Sequence, residues 1–178
     1  MKPEIHRDNL NKNSRWLTRR YEILIDKKVT PEQIWEYAYN PETWTESNPD
    51  EHLGLIFYNK QNRPETGVAF YQKETVSGVY ADLRGHILYA EKPRICVWTG
   101  LAEYRLFGII PLSVPENGVI RIEKASGGSL LSHTVYIRMP ETIIGKLFFK
   151  LSEVFSNKTG FVPHTYKELE YFKTELEK

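Results

Sequence analysis

The sequence predicts an α+β fold: a curved antiparallel sheet of about seven strands wrapped round a long C-terminal helix, with two short helices after the first strand. Between Leu53 and Arg138, apolar and polar residues alternate in successive runs broken by turn residues, as in antiparallel strands with one wet face. Past Pro140 the apolar residues recur at three- and four-residue spacing, which is helical. Thr30-Pro31 and Asn40-Pro41 each place a capping residue before a proline, the start signal of a helix. The run of strands excludes an alternating βαβ fold, and the helices at both ends exclude an all-β barrel.

Residues 1–15 are polar and aperiodic and read as an arm preceding one domain over residues 16–178. In the first strand Tyr21, Ile23 and Ile25 alternate with Glu22, Leu24 and Asp26. Arg15, Arg19 and Arg20 read as its solvated entrance. Thr30 and Gln33 have capping-box spacing, and the helix they open carries Ile34, Trp35 and Tyr37. The next helix carries Trp44. Leu53, Leu55 and Phe57 then share a face. Phe70, Gln72, Glu74 and Val76 lie opposite Tyr71, Lys73 and Thr75. Val79, Ala81, Leu83, Gly85, Ile87 and Tyr89 oppose Asp82, Arg84 and His86, and Cys96 to Leu106 repeats the pattern with Trp98, Gly100, Ala102 and Tyr104 inside.

The stretch from Gly108 to Gly118 is apolar but holds Pro111 and Pro115, and reads as a long connection folded onto a core edge. Ile120 and Ile122 mark a further strand, and Leu131, His133, Val135 and Ile137 form the inner face of the last one. Ile143, Ile144, Leu147, Phe148, Leu151, Val154 and Phe155 make one broad helical stripe. Residues 157–163, with Gly160 and Pro163, should interrupt it. The pattern resumes with Tyr166, Leu169, Phe172 and Leu176 against a charged back of Lys167, Glu168, Glu170 and Lys173.

With 178 residues the chain can build one substantial core. A net charge of +1 gives no general attraction for nucleic acid or an anionic membrane. The lone Cys96 rules out an internal disulfide and suits a reducing compartment. The first residues lack the apolar core of a signal peptide, and no apolar run is long enough to span a bilayer. The expectation is a cytoplasmic protein without integral membrane association. Its oligomeric state is left open.

No phosphate loop, zincin motif, nucleophile elbow or cysteine pair is present, so neither cofactor nor metal is expected. His6, His52 and His164 lie in polar segments and read as solvated. Cys96 reads as a buried thiol. The polar residues on the inner faces are Gln72, Glu74 and His133, and a buried histidine or carboxylate must be hydrogen-bonded or change its protonation state. His133 and Glu74 are therefore the candidate catalytic pair. The candidate cavity wall is Trp44, Phe57, Phe70, Gln72, Leu83, Trp98, Tyr104, His133, Val135, Phe148, Leu151 and Phe155.

Thr30-Pro31-Glu32-Gln33-Ile34-Trp35 followed by Asn40-Pro41-Glu42-Thr43-Trp44 resembles the opening of the START-related SRPBCC superfamily. Gly67 with Phe70, Gly85-His86-Ile87-Leu88 before Lys92-Pro93-Arg94 and Trp98, and Gly127 to His133 are similar to later parts of it. The resemblance runs from about Trp16 to Lys178. It implies the helix-grip fold and a hydrophobic small molecule or lipid held between the sheet and the last helix. It also implies a second possibility, a polyketide cyclase-like enzyme using His133 and Glu74 as acid and base. A third reading, drawn from the apolar segment alone, is an interaction module docking through Ile109–Leu112.

Overall fold

In a computed structural model the described residues are 16–76, 78–106, 108–138, 142–143, 146–147 and 164–178. The predicted arm over residues 1–15, the helix interruption at 157–163, and Phe148, Leu151 and Phe155 lie outside them. The chain order is β1 (Trp16–Asp26), α1 (Pro31–Ala38), α2 (Pro41–Ser47), β2 (His52–Phe57), β3 (Ala69–Val76), β4 (Val79–Glu91), β5 (Ile95–Leu106), β6 (Ile110–Ala125), β7 (Gly128–Arg138) and α3 (His164–Leu176). The strands form one antiparallel sheet in the order β1-β7-β6-β5-β4-β3-β2, so each strand after the first pairs with its successor in sequence. β1 closes against β7 across eleven paired positions, Trp16↔Arg138 to Asp26↔Gly128.

The helices start where the caps predicted. Thr30 accepts from the Gln33 amide while the Gln33 side chain accepts from the Thr30 amide, and Asn40 caps α2 through the Glu42 amide at 3.0 Å. α1 buries Ile34, Trp35 and Ala38. Its Tyr37 meets α3 through Tyr171, stacked at 6.5 Å, and Phe172, edge-on at 6.0 Å. α3 is tied to the end of β1 by Lys173 donating to the Leu24 carbonyl (2.6 Å) and by the Asp26 amide donating to Glu177 (2.7 Å). The core lies between the inner sheet face and these helices, with Ile25, Ile34, Leu83, Leu131 and Leu169 fully buried.

Two register shifts correct the alternation read from sequence. Between His52 and Gly54 the pairing with β3 slips, so His52 turns inward and Leu53 outward, while Leu55 and Phe57 keep the inner face. A bulge inserts one residue and re-aims its neighbours, which strict period-two counting cannot see. The second shift, between Ile87 and Tyr89, leaves Leu88 and Tyr89 exposed, so Tyr89 is not on the inner face as predicted.

The predicted connection from Gly108 to Gly118 is instead the first half of the sixteen-residue β6. It pairs with β5 from Ile110 onward but with β7 only from Glu116. Pro111 and Pro115 therefore sit where the strand has a free edge, and a missing N–H costs no ladder bond there. Leu112 and Val114 point into the core, leaving Ile109 and Ile110 exposed, so Ile109–Leu112 does not form a continuous apolar docking loop. Ile143 and Leu147, predicted to be buried in the helical stripe, are 85% and 59% exposed; the sheet does not cover them.

Gly85 and Gly100 face each other across β4 and β5. A Cβ on Gly85 would stand 2.3 Å from the Thr99 carbonyl oxygen and 2.6 Å from the Phe70 ring. The close approach lets the Phe70 ring lie directly on the sheet backbone. Gly85→Ala should therefore lower stability by about 2–3 kcal/mol, read from the urea midpoint at constant slope. An unchanged midpoint would show that the sheet relaxes at no cost.

Candidate functional site

A cavity of about 310 Å³ opens between the inner sheet face and α3. Its wall is mostly apolar. Phe57, Phe70 and Trp98 run across it, with ring centroids 6.2 Å apart for the first pair and 5.8 Å, edge-on, for the second. Trp98 lies over Gly118, where a Cβ would fall 2.1 Å from the indole. Leu83, Ile87, Leu131, Leu169 and Phe172 line the rest of the apolar surface. Of the residues predicted for the wall, Trp44, Phe57, Phe70, Gln72, Leu83, Trp98, Tyr104, His133 and Val135 all line it, as does Glu74. Arg19, predicted to be solvated, is half-buried and lines it too, because it shares the inward parity of Tyr21.

At one end the cavity becomes polar. β2 and β3 place His52 opposite Glu74 in register, and α3 places His164 and Glu168 one turn apart on a single face. The two pairs meet. His52 Nε2 lies 2.8 Å from His164 Nε2 and 3.1 Å from Glu168 Oε1, and His164 Nε2 lies 3.2 Å from Glu168 Oε1 and 3.3 Å from Glu74 Oε2. His52 is 2% exposed and Glu168 5%. His52 and His164 are thus not solvated, and Glu168 is not on the charged back of its helix. Thr165, Glu168, Leu169 and Phe172 form the cavity face of α3 at helical spacing.

A surrounding layer orients these groups. Trp44 stacks on the His52 imidazole, with centroids 3.7 Å apart, and its carbonyl oxygen is 2.6 Å from His52 Nδ1. Ser47 Oγ is 3.3 Å from the same nitrogen. Glu51 Oε2 is 2.9 Å from His164 Nδ1 and accepts from Asn48 at 2.5 Å. Gln72 donates to Glu74 at 2.9 Å. His133 Nδ1 stands 3.7 Å from Glu168 Oε2, while its Nε2 is buried with no hydrogen-bond partner among the described residues.

Burial opposes the charged forms here, but the contacts outweigh it. His164 is desolvated, yet bonding to Glu168 and Glu74 and the charges of both push it up to about 11. Burial likewise would raise Glu168, but His133, His164 and His52 around it hold its carboxyl well below the usual range. Cys96, as predicted, is buried and poor as a nucleophile: desolvation pushes its thiol up to about 11 against a smaller opposing bond from Tyr39.

A second polar pair lines the same cavity. Tyr104 donates to Glu116 at 2.6 Å, and both are buried. Burial raises Glu116 to about 7, the Tyr104 bond opposing and the charge of Glu74 reinforcing the shift. Glu116 was missed because its segment read as a connection. His52 was hidden by the bulge. The His164–Glu168 spacing was visible in the sequence, but the face it occupies was not.

The chain has the helix-grip architecture, with an internal cavity and a His/Glu cluster at one end. No family model and no curated protein matches it. Solved structures do match in fold. A START superfamily protein from Mycobacterium smegmatis aligns at 14% identity and TM-score 0.55, over 90% of this chain and 98% of that one. A conserved protein from Geobacillus kaustophilus aligns at 11% identity and TM-score 0.59, over 90% and 95%. The major latex-like protein 151 of Panax ginseng aligns at 8% and 0.54, over 89% and 97%. The fold expected from the START-related resemblance is the fold found. No helix among the described residues is long and apolar enough to cross a membrane.

Glu116 binds its proton more tightly folded than unfolded, so stability is highest below its ordinary value of 4.5, falls as pH rises towards about 7, and stays lowered above that. Glu116→Gln, which can still accept from Tyr104, should remove this loss. Urea unfolding should show the variant more stable than wild type at pH 8, by on the order of 2–3 kcal/mol, with the gap shrinking towards pH 4.5. A gap independent of pH would mean that Glu116 does not carry the proton.

Proposed function

We propose that this protein is a binding protein for a hydrophobic or aromatic small molecule or lipid, held in the cavity between the sheet and α3 with a polar group at His133. The observation that carries this reading is the wall itself: a largely apolar cavity of about 310 Å³ with the buried Nε2 of His133, which has no hydrogen-bond partner among the described residues, at its edge. A volume at the lower end of the small-molecule range, with few polar groups, suits a ligand recognised by shape plus one hydrogen bond. An unpartnered buried nitrogen costs free energy that a ligand hydroxyl, carbonyl or carboxylate would recover. Its lone cysteine suits the reducing environment of the cytoplasm.

A second reading retains the cavity and adds turnover. His133 and Glu74 both border it, as an acid–base pair acting on an enolisable carbonyl would require. The cluster contacts of Glu74 with His164 and Gln72 favour the binding role, because they already engage its carboxylate.

Native mass spectrometry of freshly purified protein should show a bound small molecule. Val135→Trp, which fills the cavity, should weaken binding of a fluorescent naphthalene probe at least tenfold with little change in melting temperature. His133→Ala should weaken a hydroxyl- or carboxylate-bearing aromatic about tenfold while leaving its parent hydrocarbon unaffected. Probe binding that survives Val135→Trp would remove the cavity from consideration. Release of a chemically altered ligand by wild type, lost in His133→Ala, would favour the enzyme.

A further inference from the structure

We infer that His52, His164, Glu168 and Glu74 form a binding site for a divalent transition metal ion of the Zn²⁺ type. The site goes beyond the ligand-binding reading, because it requires nothing in the apolar cavity.

The argument rests on which ring nitrogens carry hydrogen. The Trp44 carbonyl oxygen can only accept, and it lies 2.6 Å from His52 Nδ1, so that nitrogen is the N–H. Glu51 Oε2 lies 2.9 Å from His164 Nδ1 and, as an ionised carboxylate, also only accepts. Asn48 Nδ2 stands 3.2 Å from the same nitrogen, but its nearer acceptor is Glu51 Oε2 at 2.5 Å. Once a metal ion displaces the Nε2 proton that His164 carries towards Glu168 and Glu74, both Nε2 atoms present lone pairs. They face each other at 2.8 Å, with Glu168 Oε1 3.1 and 3.2 Å away and Glu74 Oε2 3.3 Å from His164. The imidazoles and carboxylates converging in this buried space need a cation between them, which is the His164 proton in the metal-free protein and a divalent ion once one displaces it.

The geometry suits a metal ion. Ligand atoms about 2.0–2.1 Å from a tetrahedral Zn²⁺ are about 3.3 Å from one another. Four of the six such pairs, those of His52 and His164 with each other and with Glu168 and of His164 with Glu74, are 2.8–3.3 Å, within a few tenths of an ångström of that value. The donor atoms of His52, Glu74 and His164 lie within 4.8 Å of one another. Two imidazoles with two carboxylates favour a borderline first-row ion over Mg²⁺ or Ca²⁺, which take oxygen ligands. Two carboxylate charges balance one divalent ion. The outer contacts have the form that orients metal-binding histidines, a carbonyl behind one ring and a carboxylate behind the other. No sequence motif marks the site, since its four ligands come from two strands and a helix and only His164 and Glu168 share a local spacing.

The test uses the full-length protein stripped with a chelator and titrated with Zn²⁺ and Co²⁺ by calorimetry and visible absorption. One equivalent of Zn²⁺ should bind with sub-micromolar affinity and raise the melting temperature. Co²⁺ should give the visible bands of a four-coordinate site, and Mg²⁺ and Ca²⁺ should not compete. His52→Ala and His164→Ala should each weaken Zn²⁺ at least 100-fold, and Glu51→Gln 10- to 100-fold. Val135→Trp should leave metal affinity unchanged, which separates this site from the ligand reading. Wild type that binds no stoichiometric Zn²⁺, or folded His52→Ala and His164→Ala proteins that bind it as tightly as wild type, overturns the proposal. The wild-type titration and Co²⁺ spectrum need no variant, so a substitution that prevents folding leaves the test decisive.

Discussion

Glu168 is a carboxylate buried on the face of α3 that meets the sheet, and the site depends on how it is satisfied. A charge removed from water costs several kcal/mol unless partners surround it. Here they come from three directions: His52 from β2, His133 from β7 and His164 from the preceding turn of α3 itself. Because β2 and β7 are separated by four strands, the contacts of this one residue tie α3 to distant parts of the curved sheet. Together with the Lys173 and Glu177 bonds to β1 and the packing of Phe172 on Tyr37, these contacts hold α3 in the rotation that turns Glu168, Leu169 and Phe172 to the cavity.

The apolar part is arranged on a different principle. Small residues let large rings lie against the backbone: Gly85 admits Phe70, and Gly118 admits Trp98. The rings thereby approach the sheet backbone closely and meet each other edge-on at 5.8 Å along the cavity wall. A cavity flanked by rigid aromatics on one side and a fixed polar cluster at one end has separate means of recognising shape and polarity. Buried carboxyls stand in both regions, Glu168 and Glu74 in the cluster and Glu116 beside Tyr104, so the interior is more acidic than the overall charge of the chain suggests.

Much of this was legible before the structure. Strand parity located Phe70, Gln72, Glu74, Leu83, Trp98, Tyr104, His133 and Val135 on one face, and all of them border the cavity. The capping pattern placed both short helices. Errors arose where local pattern and tertiary context diverge. Pro111 and Pro115 argued against a strand, but β6 has a free edge there. Alternation alone points Leu53 inward, but the register shift between His52 and Gly54 reverses it and turns His52 in. Glu168 looked like one charge in a solvated row, yet helical rotation puts it beside Leu169 and Phe172.

By itself the sequence determined the order of elements, the starts of the short helices and the inward face of most strands, because alternation and caps are set by neighbours a few residues apart. Tertiary structure alone decided that His52 and His164, 112 positions apart, would touch. That contact needs a one-residue slip in β2, a particular pairing with β3 and a particular rotation of α3, each fixed by packing over the whole sheet rather than by the residues on either side.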